Sequence, residues 1–568
     1  MKMNFKYAMM AFATISMMGL ASCSDDPNVD TVVPDEEGLP TLMKITLVDS
    51  SDRSATRAYS DYPAMDEEKH INNAIVYMFN STRSFVKAID LELGKVTVVE
   101  NNTPVQKDVW TATFEASSGL HYFIATANAP ALEVKKGTGL DNLAMRIDDI
   151  KTQFGALTNL GVKDNTGAFT INPNFFMTTT VNVENVISSE NYKQMNYVPA
   201  TLVASTKEEI ENAIVPSKNL IQIPIGRAMS KVNLSIPNSV KVGTPYTKVT
   251  QEVKSDKYGV IGEVDILNSK YYVANNPTKM YHFPYFGTTQ MFQTPLFDQF
   301  PIGTTAVGYW PKLHLEAEAG KTVHDAFDAE ATKTPAFEAT TDKADISATA
   351  FYAVENSNLE NTWSNTTILQ LKTVFTPADI QVEVEPGVKH HIIVSGVTAE
   401  WKSTTDGKGV TTWATNVTAA THGALTDNNF YRVWDPNLKA FWPYFFADKA
   451  SAQALAAKIG DPATGTTYPE ADLLVEYNKG ICYYMIPIRD KSRGVPECHD
   501  ATRNHFYDIQ IGAFTDCGYN KPGGGDGPGD ETDPTDPLYP NDYFVKVYIQ
   551  VMDWTHVKTT EDTGIGYK

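Results

Sequence analysis

Apolar residues recur at every second position through most of this chain, with β-branched and aromatic residues prominent among them. Ala74 to Phe79, Lys95 to Val99, Tyr122 to Thr126 and Leu220 to Ile225 show the pattern. So do Lys231 to Ser235, His391 to Val394, Cys482 to Ile486 and Phe506 to Ile511. Period two places alternate side chains on opposite faces of a strand, and turn residues separate the runs. The pattern predicts many short strands joined by long loops, a mainly β fold of the sandwich type. Helical spacing is scarce. Leu140 to Phe154 carries it, and Ser205-Thr206-Lys207-Glu208 has the form of a capping box opening a short helix to Ile214. Lys449 to Ile459 is Ala-rich and closed by Gly460.

The first residues depart from the alternation. Lys2 and Lys6 precede an apolar run from Ala8 to Leu20, too short to span a bilayer as a helix. The run ends in Leu20-Ala21-Ser22-Cys23, the arrangement of a lipoprotein signal in which Cys23 is acylated and becomes the new N-terminus. An ordinary signal peptide is the alternative. Ser24-Asp25-Asp26 resembles the acidic signal that sends lipoproteins of Bacteroidetes to the outer face of the outer membrane.

Composition bounds the rest. The 568 residues allow two or three domains. Net charge is −21, and residues 1–57, with five Lys/Arg and eight Asp/Glu, leave −18 on residues 58–568. An acidic surface lacks the basic footprint that nucleic acid requires. Besides Cys23 the cysteines are Cys482, Cys498 and Cys517, with Cys498–Cys517 the candidate disulfide in an oxidising compartment.

The expected organisation is a signal peptide at 1–22, a propeptide with a removable first strand at 23–57, and an N-terminal β-sandwich at 58–230. A larger β-sandwich with loop insertions follows at 231–519. Asn520 to Pro540 is rich in Gly, Pro and Asp, cannot bury a core and reads as a linker. Residues 541–568 form a last strand and a tail.

That last strand needs a partner. A linker of about twenty residues reaches roughly 65–75 Å at about 3.3–3.6 Å per residue, enough to leave its own subunit. Tyr543, Val545, Val547, Ile549 and Val551 share one face, and so apolar a strand aggregates if left unpaired. Burying such side chains is worth on the order of 1.5–3 kcal/mol each. Near the other end, Leu42 to Val48 presents Met43, Ile45 and Leu47 on one face. The polar segment after it carries Arg53 and Arg57, open to an arginine-specific protease. Cleavage would free the first strand and open a slot that a neighbour's last strand has the pattern to fill. Donor and slot are different surfaces, so the contact builds an open filament. The plainer alternative is that each terminal strand pairs within its own chain.

Several segments carry a family resemblance. Ile223 to Val232 contains Arg227 and Lys231 in an Arg-x-x-x-Lys joint, and Phe351 to Asn356 is an aromatic strand ending in Glu-Asn. Leu371 to Pro377, Arg503 to Ile511, and the linker leading to Val547 to Trp554 complete the set. With the lipoprotein signal, these resemble the fimbrillins of Bacteroidales, the subunits of type V pili, above all the shaft type of the short (minor) fimbriae. The resemblance implies two transthyretin-like β-sandwich domains, a few short helices and a C-terminal donor strand. It implies export as a lipoprotein, cleavage at Arg57-Ala58 with Arg53 the fallback, and polymerisation by donor-strand exchange into a surface fimbria that mediates adhesion and biofilm formation. Partners would be copies of the same chain, tip and anchor subunits, the protease, the outer membrane before cleavage, and host or bacterial surface ligands. An accessory (tip or anchor) subunit and a surface glycan-binding lipoprotein are the alternatives.

No enzymatic chemistry stands out, and no cofactor is expected. Gly523 to Gly527 lacks the strand-to-helix setting of a nucleotide loop. His390 and His391 are adjacent, so on a strand they face opposite ways and do not chelate one metal together. Cys498-His499-Asp500 adjoin in sequence, whereas a catalytic triad converges through space. Trp401, Trp442, Tyr444 and Phe446 are a candidate glycan platform, more often core.

Overall fold

The computed structural model describes residues 38–49, 62–63, 71–100, 103–129, 134–135, 138–139, 146–147, 161–163, 169–171, 176–179, 197–274, 280–283, 334–337, 350–356, 366–490, 499–521 and 544–555. The alternating runs become strands of a mainly β protein, organised as two β-sandwich bodies.

The first body holds β1 (Pro40–Asp49), β2 (Ala74–Phe79), β3 (Phe85–Asp90), β4 (Glu92–Glu100), β5 (Thr103–Ser117), β6 (Gly119–Ala127), β7 (Met177–Thr179), β8 (Val198–Leu202) and β9 (Leu220–Arg227). They form a nine-stranded sheet in the order β3-β2-β6-β7-β9-β1-β5-β4, with β8 on β6. Its core joins Met43, Ile45 and Leu47 to Val76, Phe123 and Ile223.

The chain changes sheets at Ala228. The second body contains β10 (Met229–Ser235), β11 (Tyr246–Ser255), β12 (Gly259–Asp265), β13 (Lys270–Ala274), β14 (Phe351–Val354) and β15 (Ile368–Pro377). After β16 (Val388–His391), β17 (Ile393–Thr405) and β18 (Thr411–His422) come β19 (Ile481–Pro487), β20 (His505–Phe514) and β21 (Val545–Thr555). An eleven-stranded sheet runs β13-β15-β12-β11-β20-β10-β14, with β19 on β15 and β21 on β20. The β17–β18 hairpin belongs to a six-stranded sheet with Phe430–Asp435 and Leu474–Tyr477. That sheet and the helix Lys449–Ala456 enclose a smaller core around Val433, Tyr444 and Leu455.

Local chemistry explains the helices. Thr206 caps Lys207–Glu211, taking the Glu209 N–H while the Glu209 side chain returns to the Thr206 N–H. The capping box therefore sits one residue later than expected, because Ser205 Oγ is engaged by the Leu42 N–H at 3.0 Å. The helix stops at Glu211, short of Ile214. Asp448 caps Lys449–Ala456, accepting from the Ser451 N–H. The helix expected over Leu140 to Phe154 is overturned at Arg146–Ile147, where a strand pairs with Met280–Tyr281. The rest of that span lies outside the described residues. Among the described residues no helix is long and apolar enough to cross a membrane.

Candidate functional site

β1 is an interior strand. It runs parallel to β9, from Lys44 opposite Leu220 to Asp49 opposite Ile225, and antiparallel to β5, from Pro40 opposite Ser117 to Thr46 opposite Thr111. Met43 and Ile45 are fully buried and Leu47 nearly so, as the alternation predicts. Thr41, on the same face, is buried too, and so is Leu42 on the other.

Polar contacts hold the strand at its start. The Thr41 hydroxyl donates to the Val203 carbonyl at 2.6 Å. The Asn219 amide donates to Thr41 Oγ1 at 2.7 Å and to the Leu42 carbonyl at 2.9 Å. Further along, the Thr111 hydroxyl donates to the Ile45 carbonyl at 2.6 Å. Before the strand, Gly38 passes so close to the Ser118 carbonyl that any Cβ would collide with it.

The last strand lies at home. β21 pairs antiparallel with β20, with Val547 in register with Ile511, Ile549 with Ile509 and Val551 with Tyr507. Val545 pairs with Phe514 across a register shift between Ile511 and Ala513. Residues Tyr62–Pro63 add a short parallel pairing at Trp554–Thr555. In the uncut single chain, therefore, both terminal strands pair within the molecule, the plainer of the two arrangements the sequence allowed. The edge of β20 is where an unaccompanied apolar strand satisfies its backbone. Tyr543, Cys23, Arg53, Arg57 and Ala58 lie outside the described residues.

Three of the segments that carried the family resemblance, around Arg227, Glu355 and Arg503, converge where the two bodies meet. Lys231 is buried, its ammonium 6.0 Å from the centre of the Tyr352 ring, and it pairs in register with both Tyr352 and Phe506. The Arg227 N–H donates to Asn504 Oδ1 at 3.0 Å. Arg503 binds both carboxylate oxygens of Glu355, through Nε at 2.7 Å and through Nη2. Its Nη1 also reaches Thr178 Oγ1 in β7 at 3.2 Å and the His282 carbonyl at 3.0 Å, so one guanidinium bridges the two bodies. Nothing local in the sequence marks Arg503 and Glu355 as partners, since 148 residues separate them.

Of the two cysteines of the expected disulfide, Cys498 lies outside the described residues. Cys517 is a buried free thiol, and the Arg432 guanidinium approaches its sulfur at 3.2 Å while binding Asp516 Oδ1 at 2.7 Å. That contact fixes the sulfur inside the core. Burial pushes the thiol up to about 11 despite Arg432. Cys482 is a second buried free thiol, also raised by burial. Of the aromatic quartet, Tyr444 and Phe446 are core, and Trp442 packs against the same core partly buried. Trp401 alone is exposed, its indole N–H donating to the Lys458 carbonyl at 2.9 Å, so the four do not form one open platform.

Buried first strand, tethered last strand and clamped joint define a two-body β-sandwich protein with β1 and β21 held in two different sheets. Residues 475–560, from within Leu474–Tyr477 through β19, β20 and β21, match the family model described as major fimbrial subunit protein type IV, fimbrillin, C-terminal. No curated protein matches the chain. Among solved structures, a fimbrilin from Porphyromonas gingivalis W83 is similar at 13% identity and TM-score 0.34, over 93% of this chain and 100% of that one. The tip fimbrial protein Mfa3 from Porphyromonas gingivalis is similar at 9% identity and TM-score 0.28, over 91% and 100%. Likeness at these values carries no functional argument.

Proposed function

We propose that this chain is a structural subunit of a surface fimbria, exported as a lipoprotein through Cys23 and assembled by strand exchange. Cleavage after Arg57, with Arg53 the fallback, would release β1 and leave a slot between β9 and β5. The eleven residues of a neighbour's β21 would then replace the ten of β1. The observation that carries the reading is the place of β1: a strand preceding the cleavage region fills the interior of a sheet and contributes Met43, Ile45 and Leu47 to its core. Its loss uncovers two strand edges and an apolar trough at once, which demands a replacement. The fimbrillin match over 475–560 supports the same reading, because it takes in β21. Since β21 rests on β20 in the uncut chain, assembly must move two strands, and the stored pairing keeps the precursor from polymerising early. A shaft subunit of the short-fimbria type needs both the slot and the donor. Tip and anchor subunits, the protease and surface ligands are the partners this reading requires.

The test is to treat the purified precursor with an arginine-specific protease and to look for filaments by electron microscopy and ladders on a non-boiled gel. The same is done with the chain ended after Pro540. Filaments from the first alone support the reading. Equal polymerisation of both removes β21 as donor, and retention of β21 on β20 after cleavage leaves a monomeric surface adhesin.

A further inference from the structure

Three side chains that no part of fimbrial assembly uses meet at the base of the β17–β18 hairpin. Asp379 lies just after β15, His391 ends β16, and His422 ends β18. One ligand atom from each lies within 4.8 Å of the others. Asp379 Oδ1 stands 2.9 Å from His422 Nε2 and 3.5 Å from His391 Nδ1. The two imidazoles stack with centres 4.2 Å apart and planes 23° apart. His391 Nδ1 is shielded from solvent yet has no hydrogen-bond partner, so a buried nitrogen is aimed at the carboxylate without a bond to it.

We propose that Asp379, His391 and His422 bind one divalent transition-metal ion, zinc above all. Two imidazoles and a carboxylate are ligands suited to zinc, and three protein ligands leave a fourth position for water. The 3.5 Å separation suits two ligands of one tetrahedral ion about 2.0–2.2 Å from each. His422 is 46% exposed and has room to turn its lone pair inward. The carriers are fixed: the Ala378 N–H donates to the Ile261 carbonyl at 2.9 Å, and the Ile392 N–H to the Ile380 carbonyl at 3.0 Å. Gln381 Nε2 stands 3.0 Å from His391 Nε2; with the amide turned over, so that its oxygen faces that nitrogen, it accepts Nε2–H and leaves Nδ1 free for metal. His390 takes no part, since its Nδ1 bonds Tyr444 Oη at 2.7 Å. The adjacent pair His390 and His391 thus does not chelate together, and the second histidine comes from 31 residues further along the sequence. A bound ion would tie the end of β18 to the loop after β15 and so fasten the hairpin's base to the larger sheet.

The full chain, purified without a histidine tag, is titrated with Zn²⁺ by calorimetry and with Co²⁺ by visible absorption. One equivalent is expected to bind, with Co²⁺ bands of four- or five-coordinate intensity. His422→Ala and Asp379→Asn should each weaken binding by about tenfold or more, and His391→Ala with His422→Ala should abolish it. Excess Zn²⁺ should raise the Tm of the wild type but not of the double variant. Circular dichroism without metal should be the same for all; a variant that misfolds is replaced by His422→Gln. Absence of stoichiometric binding, or binding unchanged in the variants, overturns the site.

Discussion

Asn219 grips the backbone of Leu42: its side-chain amide donates to the Leu42 carbonyl at 2.9 Å and to Thr41 Oγ1 at 2.7 Å, while its Oδ1 accepts the Val203 N–H at 2.9 Å. Asn219 is fully buried, so these bonds are made away from water. Asn219→Ala leaves the Val203 N–H without this acceptor and strips a donor from β1. Leaving buried polar groups unsatisfied costs about 1–3 kcal/mol each. The variant precursor should melt several degrees lower, and amide exchange along β1 should quicken more than elsewhere. Equal exchange in β1 of both proteins would show that the strand is held without this residue.

Ile45 gives a sharper test of the slot. It is fully buried at the middle of β1 and belongs to the core of the first body. Ile45→Asp sets a carboxylate in that core with no partner, and such a charge is costly enough to expel its carrier. The first strand should leave without any cut. If strand exchange is how the chain assembles, this variant forms filaments without protease, seen by electron microscopy, and the variant also ended after Pro540 does not. Ile45→Ala keeps the strand seated at a cost of about 2–5 kcal/mol, read as a lower Tm.

The set Met43, Ile45 and Leu47 was legible because period-two patterning is a local signal, and the core uses it directly. The strands around Ala74, Leu220 and Phe506 were legible for the same reason. What escaped depends on distance in the chain. The capping box shifted from Ser205 to Thr206 because Ser205 serves β1, 163 residues away. Helical spacing near Arg146 yielded to pairing with Tyr281, which no local pattern encodes. Burial of Leu42 on the second face follows from the central position of β1, where alternation alone predicts exposure.

Arg503 and Glu355 were invisible as a pair, yet their joint can be tested directly. Both side chains are almost wholly buried, at 4% and 1% exposure. Removing one partner of such a pair leaves an uncompensated charge and costs about 3–5 kcal/mol. Glu355→Gln should therefore destabilise strongly. Arg503 also binds Thr178 of the first body, so loss of the guanidinium weakens the seam between bodies as well as the second core. Arg503→Met is expected to split one calorimetric transition into two, whereas Thr178→Val removes only the cross-body bond and costs about 1 kcal/mol. A single transition in Arg503→Met would mean that backbone continuity and the remaining contacts suffice to couple the bodies.

Cys517 gives the last prediction, with a definite sign in pH. Its thiol is raised from 9.0 to about 11 chiefly by burial, with Arg432 pulling the other way. A raised value means that the fold prefers the neutral thiol. Its contribution is fully present below about pH 9 and is lost as pH rises through about 11. The thiolate is the nucleophile, so at about pH 8 its fraction is about a hundredfold below that of an unperturbed thiol, before access is considered. Iodoacetamide should label the Cys517 and Cys482 peptides slowly in the native chain and quickly in concentrated urea without reductant, as read by mass spectrometry. If the Cys517 peptide labels in urea only after reduction, the sulfur was in a disulfide and the contact with Arg432 does not describe its state. Arg432→Met should raise the thiol further and slow native labelling again, since burial and Asp516 both disfavour the thiolate once the guanidinium is gone.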